Sequence, residues 1–308
     1  MTPTLSVDLG GLHLPTPVMI ASGCFSAAKD VAGLIDLRNV GAIVTRSVTL
    51  GPSQGDPPPR MAETAGGLLT AVGLQNPGVD AFLDELAELG ALGVPVFASI
   101  AGESVEEYMR VAARMVALRV VSGLELNLSC PNEARGGRLF AVDPDQAAET
   151  VAAVSGVSRV PLFAKLSSET SDIVEVAKAC LSAGAHGVTL VNTIPGYAVD
   201  AATGRPRLAS GVGGLSGPAI KPIALLAVHR VAEAMPEATI VGVGGLSTTE
   251  DALEFLAAGA HAVQVGTAMF ENPGAPVDIA LGIGRYLVAQ ELGSPADVRE
   301  RARRGRPT

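Results

Sequence analysis

The chain has 308 residues, 48% hydrophobic, 17% charged and 3% aromatic, with 36 glycines and a formal net charge of −9. The glycine content is too high for a helical bundle and suits many short turns and close backbone approach to a ligand. The acidic balance argues against nucleic acid as a partner. Cys24, Cys130 and Cys180 are far apart and odd in number, so a disulfide framework or zinc ribbon is unsupported and a reducing compartment is the default. No histidine stands at a metal-binding spacing, so no metal is expected. The N-terminus lacks the pattern of a secretory leader. No apolar run approaches the ~20 residues that span a bilayer, and the expectation is a soluble cytoplasmic protein without membrane contact.

In chain order, eight short apolar runs bounded by Gly or Pro read as strands: 17–21, 41–48, 95–100, 123–129, 161–166, 187–192, 239–243 and 261–266. Near-continuous apolar character fits strands buried on both faces. Between them lie amphipathic helical patterns. Residues 80–89 place Phe82, Leu83, Leu86 and Leu89 on one face, and 105–118 behaves likewise. The segment 171–184 opens on a capping-type Ser171 and closes on Gly184, and 248–260 reads the same way. Eight strand–helix units in one chain predict an α/β fold of the (β/α)8 TIM-barrel type. A doubly wound sheet is the alternative, but no G-x-G-x-x-G follows the first strand. No linker divides the chain, so 1–308 is read as one domain. Its arginine-rich end, 293–308, is read as a solvated, partly frayed basic tail. Two long connections, 51–77 and 193–217, follow strands and lie on the face where barrel active sites form.

Polar residues at strand ends are the functional candidates in such a barrel. Here they are Ser22, Arg46, Ser99, Asn127, Lys165, Asn192, the pair Gly244–Gly245, and Gly266–Thr267. Glycines after the last two strands let backbone N–H groups approach a phosphate. Lys165 has three readings: counter-charge to an anionic cofactor, Schiff-base nucleophile, or member of a structural ion pair. The stretch 124–132 brackets Cys130 with Asn127 and Asn132, and Pro131 biases the cysteine toward extended backbone in a loop rather than in the core. Carboxamides donate and accept, which suits a ring with alternating N–H and C=O groups. A thiolate can act as a base.

The motifs ASGCF (21–25), GLQNPG (73–78), LNLSCPN (126–132), AKLS (164–167), GGLSGPAIKP (213–222) and GVGGLSTTEDALEFLAAGAHAVQVGTAMF (242–270) resemble class 1 dihydroorotate dehydrogenases, closest to class 1B. The resemblance runs over nearly the whole chain. It implies an FMN-containing barrel that oxidises dihydroorotate to orotate in pyrimidine biosynthesis. Cys130 would take the proton from C5 while a hydride leaves C6 for flavin N5, and Lys165 would offset charge at the reduced flavin. Ser22, Arg46, Ser47, Ser99, Asn127, Lys165, Val191, Gly217, Gly244, Gly245, Gly266 and Thr267 would hold FMN. Arg46, Thr70, Ala71, Val72, Gly73, Leu74, Asn127, Asn132, Asn192 and Thr193 would line the substrate. The resemblance also implies a homodimer and an electron-transfer subunit carrying iron–sulfur and FAD.

Two positions depart from the family pattern. Arg46 stands where the family has Lys in K-[ST]-x-T, and Thr70 where it has Asn in L-N-x-x-G-L. Arginine is planar and geometrically demanding where lysine is a point charge. Threonine lacks the amide, and a partner left unpaired costs ~1–3 kcal/mol. These departures keep open a related FMN dehydrogenase acting on another dihydropyrimidine or heterocycle. A Schiff-base lyase using Lys165 and a tRNA dihydrouridine synthase-like enzyme are more distant alternatives.

Overall fold

The structure, a computed structural model, describes residues 3–24, 33–132 and 138–305. A hairpin of β1 (Val7–Leu9) and β2 (Leu12–Leu14) comes first. The chain then enters β3 (Val18–Ile20) and β4 (Ala42–Val44). Next come β5 (Met61–Thr64), β6 (Gly67–Thr70), β7 (Val96–Ile100) and β8 (Val121–Asn127). A short pair, β9 (Pro131–Asn132) and β10 (Arg138–Leu139), follows. The last strands are β11 (Leu162–Leu166), β12 (Gly187–Leu190), β13 (Ile194–Tyr197), β14 (Val212–Ser216), β15 (Ile240–Val243) and β16 (Ala262–Val265). Strands β3, β4, β7, β8, β11, β12, β15 and β16 pair in parallel and close on themselves. Each of the eight expected strands is present, with shifted ends, so the TIM barrel is the observed architecture.

The helices are α1 (Val79–Gly90), α2 (Val105–Met115), α3 (Pro144–Ser155) and α4 (Ile173–Ser182). They continue with α5 (Lys221–Ala234), α6 (Thr249–Ala258), α7 (Ala275–Ala289) and α8 (Pro295–Arg304). Their apolar faces carry residues such as Phe82, Leu86, Val111, Val151, Val176, Val228, Phe255 and Ile283 into the shell around the barrel.

Three expectations are corrected. The cap of α4 is Asp172, not Ser171: the Asp172 carboxylate accepts from Val174 N at 2.9 Å and Glu175 N at 3.3 Å, bonds that only the residue adjoining the first turn can make. The basic end is not frayed over 295–304. Asp297 accepts from the N–H groups of Gly293 and Ser294 and starts α8, Val298 is buried, and Arg303 donates to the Pro236 carbonyl at 2.9 Å. The two long connections are not merely loops. Strands β5, β6, β14 and β13 form a four-stranded antiparallel sheet in the order β13–β14–β6–β5, because Gly214, Leu215 and Ser216 find backbone partners in Thr70, Leu69 and Leu68.

The barrel interior is filled level by level, with alternate strands contributing to each level. Ala42, Gly123, Gly187 and Ala262 keep the lowest level small. Met19, Phe97, Phe163 and Val241 occupy the next and are buried. The Phe97 and Phe163 rings meet edge to face with centroids 5.7 Å apart. A Cβ on Gly123 would come within 2.5 Å of the Phe97 ring, and one on Gly187 within 2.4 Å of the Phe163 ring. Gly123→Ala is therefore expected to lower stability by ~1–3 kcal/mol through overpacking, measured by chemical denaturation, with part of the loss recovered in a Gly123→Ala/Phe97→Leu double variant.

The motif AGAH occurs twice, ending at His186 and His261. Each imidazole Nδ1 accepts a backbone N–H of a neighbouring strand, Leu162 N at 3.2 Å and Ile240 N at 3.3 Å. Burial lowers the His261 pKa to about 4, and the charges of Arg299 and Arg303 on α8 add to the fall. Because the folded value lies below the unfolded one, this stabilisation is present above pH ~6.5 and is lost as pH falls toward 4. Thermal unfolding at pH 7 and pH 5 should show a smaller loss for His261→Asn, which keeps an acceptor but does not titrate.

Candidate active site

Above the aromatic level the interior turns polar. Val44, Glu125, Thr189 and Gln264 share the next level, and Lys165 reaches down to it from the mouth. The Lys165 ammonium donates to Glu125 Oε1 at 3.2 Å and Gln264 Oε1 at 3.4 Å. Glu125 Oε2 accepts from Thr189 Oγ1 at 3.1 Å and Gln264 Nε2 at 2.6 Å. Of the three readings open for Lys165, the structure realises an ion pair, and it leaves the lysine at the mouth where a counter-charge is usable.

The mouth itself holds a chain of hydrogen bonds. Ser99 Oγ lies 2.8 Å from Ser47 Oγ, Asn127 Nδ2 donates to Ser47 Oγ at 3.1 Å, and Asn192 Nδ2 donates to Asn127 Oδ1 at 3.1 Å. Asn192 Oδ1 then accepts from Thr193 N at 2.8 Å. Five expected site residues are thus joined in one network running across β7, β8 and β12. Asn132 lies in β9, and its side chain is outside the described residues.

Cys130 lies just past β8, as expected, but its thiol is 3% exposed, whereas the sequence placed it outside the core. The correction has a cause: the segment after Cys130 folds back, and Phe140 N and Ala141 N bond to the carbonyls of Cys130 and Leu128. Burial pushes the thiol up to about 11, against the pull of the Tyr108 hydroxyl and the Gly102 N–H, with Glu103 adding to the rise. The Tyr108 hydroxyl also donates to the Asn127 carbonyl. It has one proton to give, so it serves the carbonyl while the sulfur is a thiol and can turn to the sulfur once that becomes a thiolate.

On the other side of the mouth, Ser22 follows Ala21, whose N–H bonds to the Val265 carbonyl, and Val191 N bonds to the Val243 carbonyl. Gly217, Gly244 and Gly245 have φ of 92°, 124° and 78°. A Cβ on Gly245 would lie 2.9 Å from the Gly217 carbonyl, so these two turns touch. Among the described residues, the N–H groups of Gly217, Gly244, Gly245, Gly266 and Thr267 make no backbone hydrogen bond. Buried and half-buried N–H groups without backbone acceptors, three of them on positive-φ turns at Gly217, Gly244 and Gly245 where a side chain would be strained, form a cradle for an anion such as phosphate.

The two departures are also placed. The Arg46 guanidinium sits 3.7 Å from Glu85 of α1. Thr70 Oγ1 reaches the Gly214 carbonyl at 3.5 Å. Residues Ala71–Leu74 form the turn after β6, with Gly73 and Leu74 at φ of 67° and 52°. Asn76 secures this turn: it is buried, accepts from Thr49 N and Gly78 N, and donates to Thr49 Oγ1 and the Leu74 carbonyl.

A family model described as dihydroorotate dehydrogenase matches residues 4–287. The chain belongs to the dihydroorotate dehydrogenase family. It is similar to the "Dihydroorotate dehydrogenase B (NAD(+)), catalytic subunit" of Geotalea uraniireducens (strain Rf4), with 47% identity over 299 residues, 97% of each chain. The protein of that name from Geobacillus kaustophilus (strain HTA426) is 50% identical over 270 residues, 87% of this chain and 86% of that one. The one from Pelobacter propionicus (strain DSM 2379 / NBRC 103807 / OttBd1) is 44% identical over 299 residues, 97% and 98% of the two chains.

A dihydroorotate dehydrogenase family barrel is an FMN-dependent oxidoreductase, and the features above fit that cofactor. The glycine cradle suits its phosphate, and Lys165 offers a cation at the mouth. Glu125, Thr189, Gln264, Tyr108 and Asn76 are the residues that sequence reasoning missed. For the first three the sequence carries only a partial signal: a Glu, a Thr and a Gln within otherwise apolar strands, whose inward orientation depends on register. Tyr108 and Asn76 lie within an amphipathic helix and a loop motif, where nothing sets them apart. Among the described residues no cluster of His, Cys, Asp and Glu could hold a metal, and no helix is long and apolar enough to cross a membrane.

Proposed function

We propose that this chain oxidises dihydroorotate to orotate, with Cys130 as the base. The carrying observation is the Asn127–Asn192 carboxamide pair at the barrel mouth, with Asn127 ending the strand that leads directly into Cys130, whose sulfur lies beside Tyr108 and Gly102. Paired carboxamides match the alternating N–H and C=O groups of a pyrimidine ring. Ser22, Val191, Gly217, Gly244, Gly245, Gly266 and Thr267 hold FMN from one side, and Arg46, Ser47, Ser99, Asn127 and Lys165 complete its surroundings. Thr70–Leu74, Asn132, Asn192 and Thr193 join Arg46 and Asn127 around the substrate. Bound FMN supplies the hydride acceptor. Cys130 removes the proton at the substrate's C5, and the fixed ammonium of Lys165 acts where negative charge develops.

A partner subunit carries the electrons onward in this reading, because the similar proteins are named catalytic subunits of an NAD(+) enzyme. Iron–sulfur and FAD centres belong to that subunit. A homodimer accords with the exposed Tyr197 and Val212, which face each other across β13 and β14. A second reading, oxidation of a different dihydropyrimidine, draws on Arg46: a substrate carboxylate must compete with Glu85 for the guanidinium.

An anaerobic absorption spectrum before and after adding dihydroorotate separates these readings. A flavin band that bleaches supports dihydroorotate. A band that persists, yet bleaches with another dihydropyrimidine, supports the second reading. Under the first, Cys130→Ala keeps the flavin band and slows its reduction by ~10²–10⁴-fold.

The pH profile tests the base itself. A thiol held near 11 is a thiolate only in small part at neutral pH, so single-turnover flavin reduction should rise with pH until that value is approached. Tyr108→Phe removes a donor to the thiolate. Its profile should shift to higher pH, with slower reduction at neutral pH and a smaller deficit at pH 10.

A further inference from the structure

The geometry points to Glu125 as the residue that sets how strongly the positive charge of Lys165 acts on a bound flavin. The inference rests on the reading that FMN occupies the barrel mouth. Glu125 touches neither substrate nor cofactor in that reading. It is a positioning residue acting through Lys165.

Four observations carry it. The Glu125 and Lys165 side chains are 1% and 8% exposed, so water screens neither. The carboxylate stands 3.2 Å from the ammonium, on the side of Lys165 that faces the barrel interior. Its second oxygen is held by Thr189 and Gln264 at 3.1 and 2.6 Å, which leaves the carboxylate no freedom to swing. Gln264 also bonds the ammonium, at 3.4 Å, and so braces both members of the pair. The donors and acceptors come from β8, β11, β12 and β16, and the assembly is as rigid as the barrel.

A lone ammonium at the mouth would act on a flavin as a full unit charge. With a fixed carboxylate on its far side it presents a dipole, and the field reaching the cofactor is smaller and directional. The pair is poorly explained as a stabilising device. Barrel interiors are ordinarily filled by branched aliphatic residues, and apolar replacement of a buried ion pair is often neutral or stabilising. An isolated lysine could also have been anchored by a neutral acceptor. What a carboxylate adds is opposing charge, and the property that opposing charge controls is the reduction potential of the flavin.

The test uses the flavin-loaded chain. In Glu125→Gln the cation loses its counter-charge, so the midpoint potential of the bound flavin should move to more positive values. Sulfite, which adds to oxidised flavin as an anion, should bind tighter by about tenfold or more, the size expected for one unit charge acting through a protein interior. Glu125→Asp keeps the charge and should stay near the wild type in both readouts. A flavin-loaded Glu125→Gln protein with the wild-type potential and sulfite affinity overturns the proposal.

A Lys165→Met/Glu125→Leu double variant answers the same question without a stranded buried charge. Its potential should lie well above that of Lys165→Met alone. Because a buried carboxylate without its cation tends to take up a proton, the two are compared over a range of pH. Equal potentials at low pH that stay equal where Glu125 of Lys165→Met has ionised mean that Glu125 only anchors the lysine, and the proposal fails. A wild-type chain that binds no flavin overturns the functional reading and this inference with it, whereas an unshifted potential on an intact flavoprotein overturns the inference alone.

Discussion

An eight-stranded barrel admits about four inward side chains at each level, and that limit governs what every strand of this protein can carry. Two phenylalanines fill one level only because Gly123 and Gly187 vacate the space around their rings. Once the lower barrel is closed by apolar volume, polar side chains can enter only above it. The level of Glu125, Thr189 and Gln264 is the first that can be polar without meeting the aromatic plug. Lys165 is the first side chain over it, and the hydrogen-bonded Ser47–Asn127–Asn192 chain lies at the rim. Chemistry is confined to one end of the barrel because the other end is packed.

In the proposed reaction Cys130 is the base, and its burial sets a cost. A base needs its charged form, and burial opposes charge on sulfur. The protein places two donors, the Tyr108 hydroxyl and the Gly102 N–H, against the sulfur. They reduce the penalty without removing it. The shared proton of Tyr108, which also serves the Asn127 carbonyl, links the state of the thiol to the strand that carries the carboxamide.

Much of this was legible in the sequence. Alternation of short apolar runs with amphipathic segments suffices for eight strands, because strands buried on both faces have no polar alternation to confuse with a loop. Strand-end residues such as Asn127, Lys165 and Asn192 could be placed at the mouth from strand direction alone. Glu125, Thr189 and Gln264 could not be singled out so easily. A run that reads as apolar conceals one polar residue whose orientation depends on register, and register is a property of the neighbours. Antiparallel pairing of β6 with β14 joins segments far apart in the chain, and no local pattern announces it. The start of α8 likewise depends on where it docks, since Val298 has a purpose only against the barrel's outer shell.

The sheet over the mouth joins the connection that follows β4 to the one that follows β12. Thr70 and Gly214 are register partners across that seam, and Gly214 packs so closely on Thr193 that a Cβ there would clash with its side chain. Neither connection can therefore be exchanged by itself. A descendant that rebuilt the backbone of one connection would have to change two distant stretches of the gene together, or pass through a form in which the seam is broken. The two connections are therefore held as a matched pair of segments, and an insertion or a backbone change in one must be met by the other.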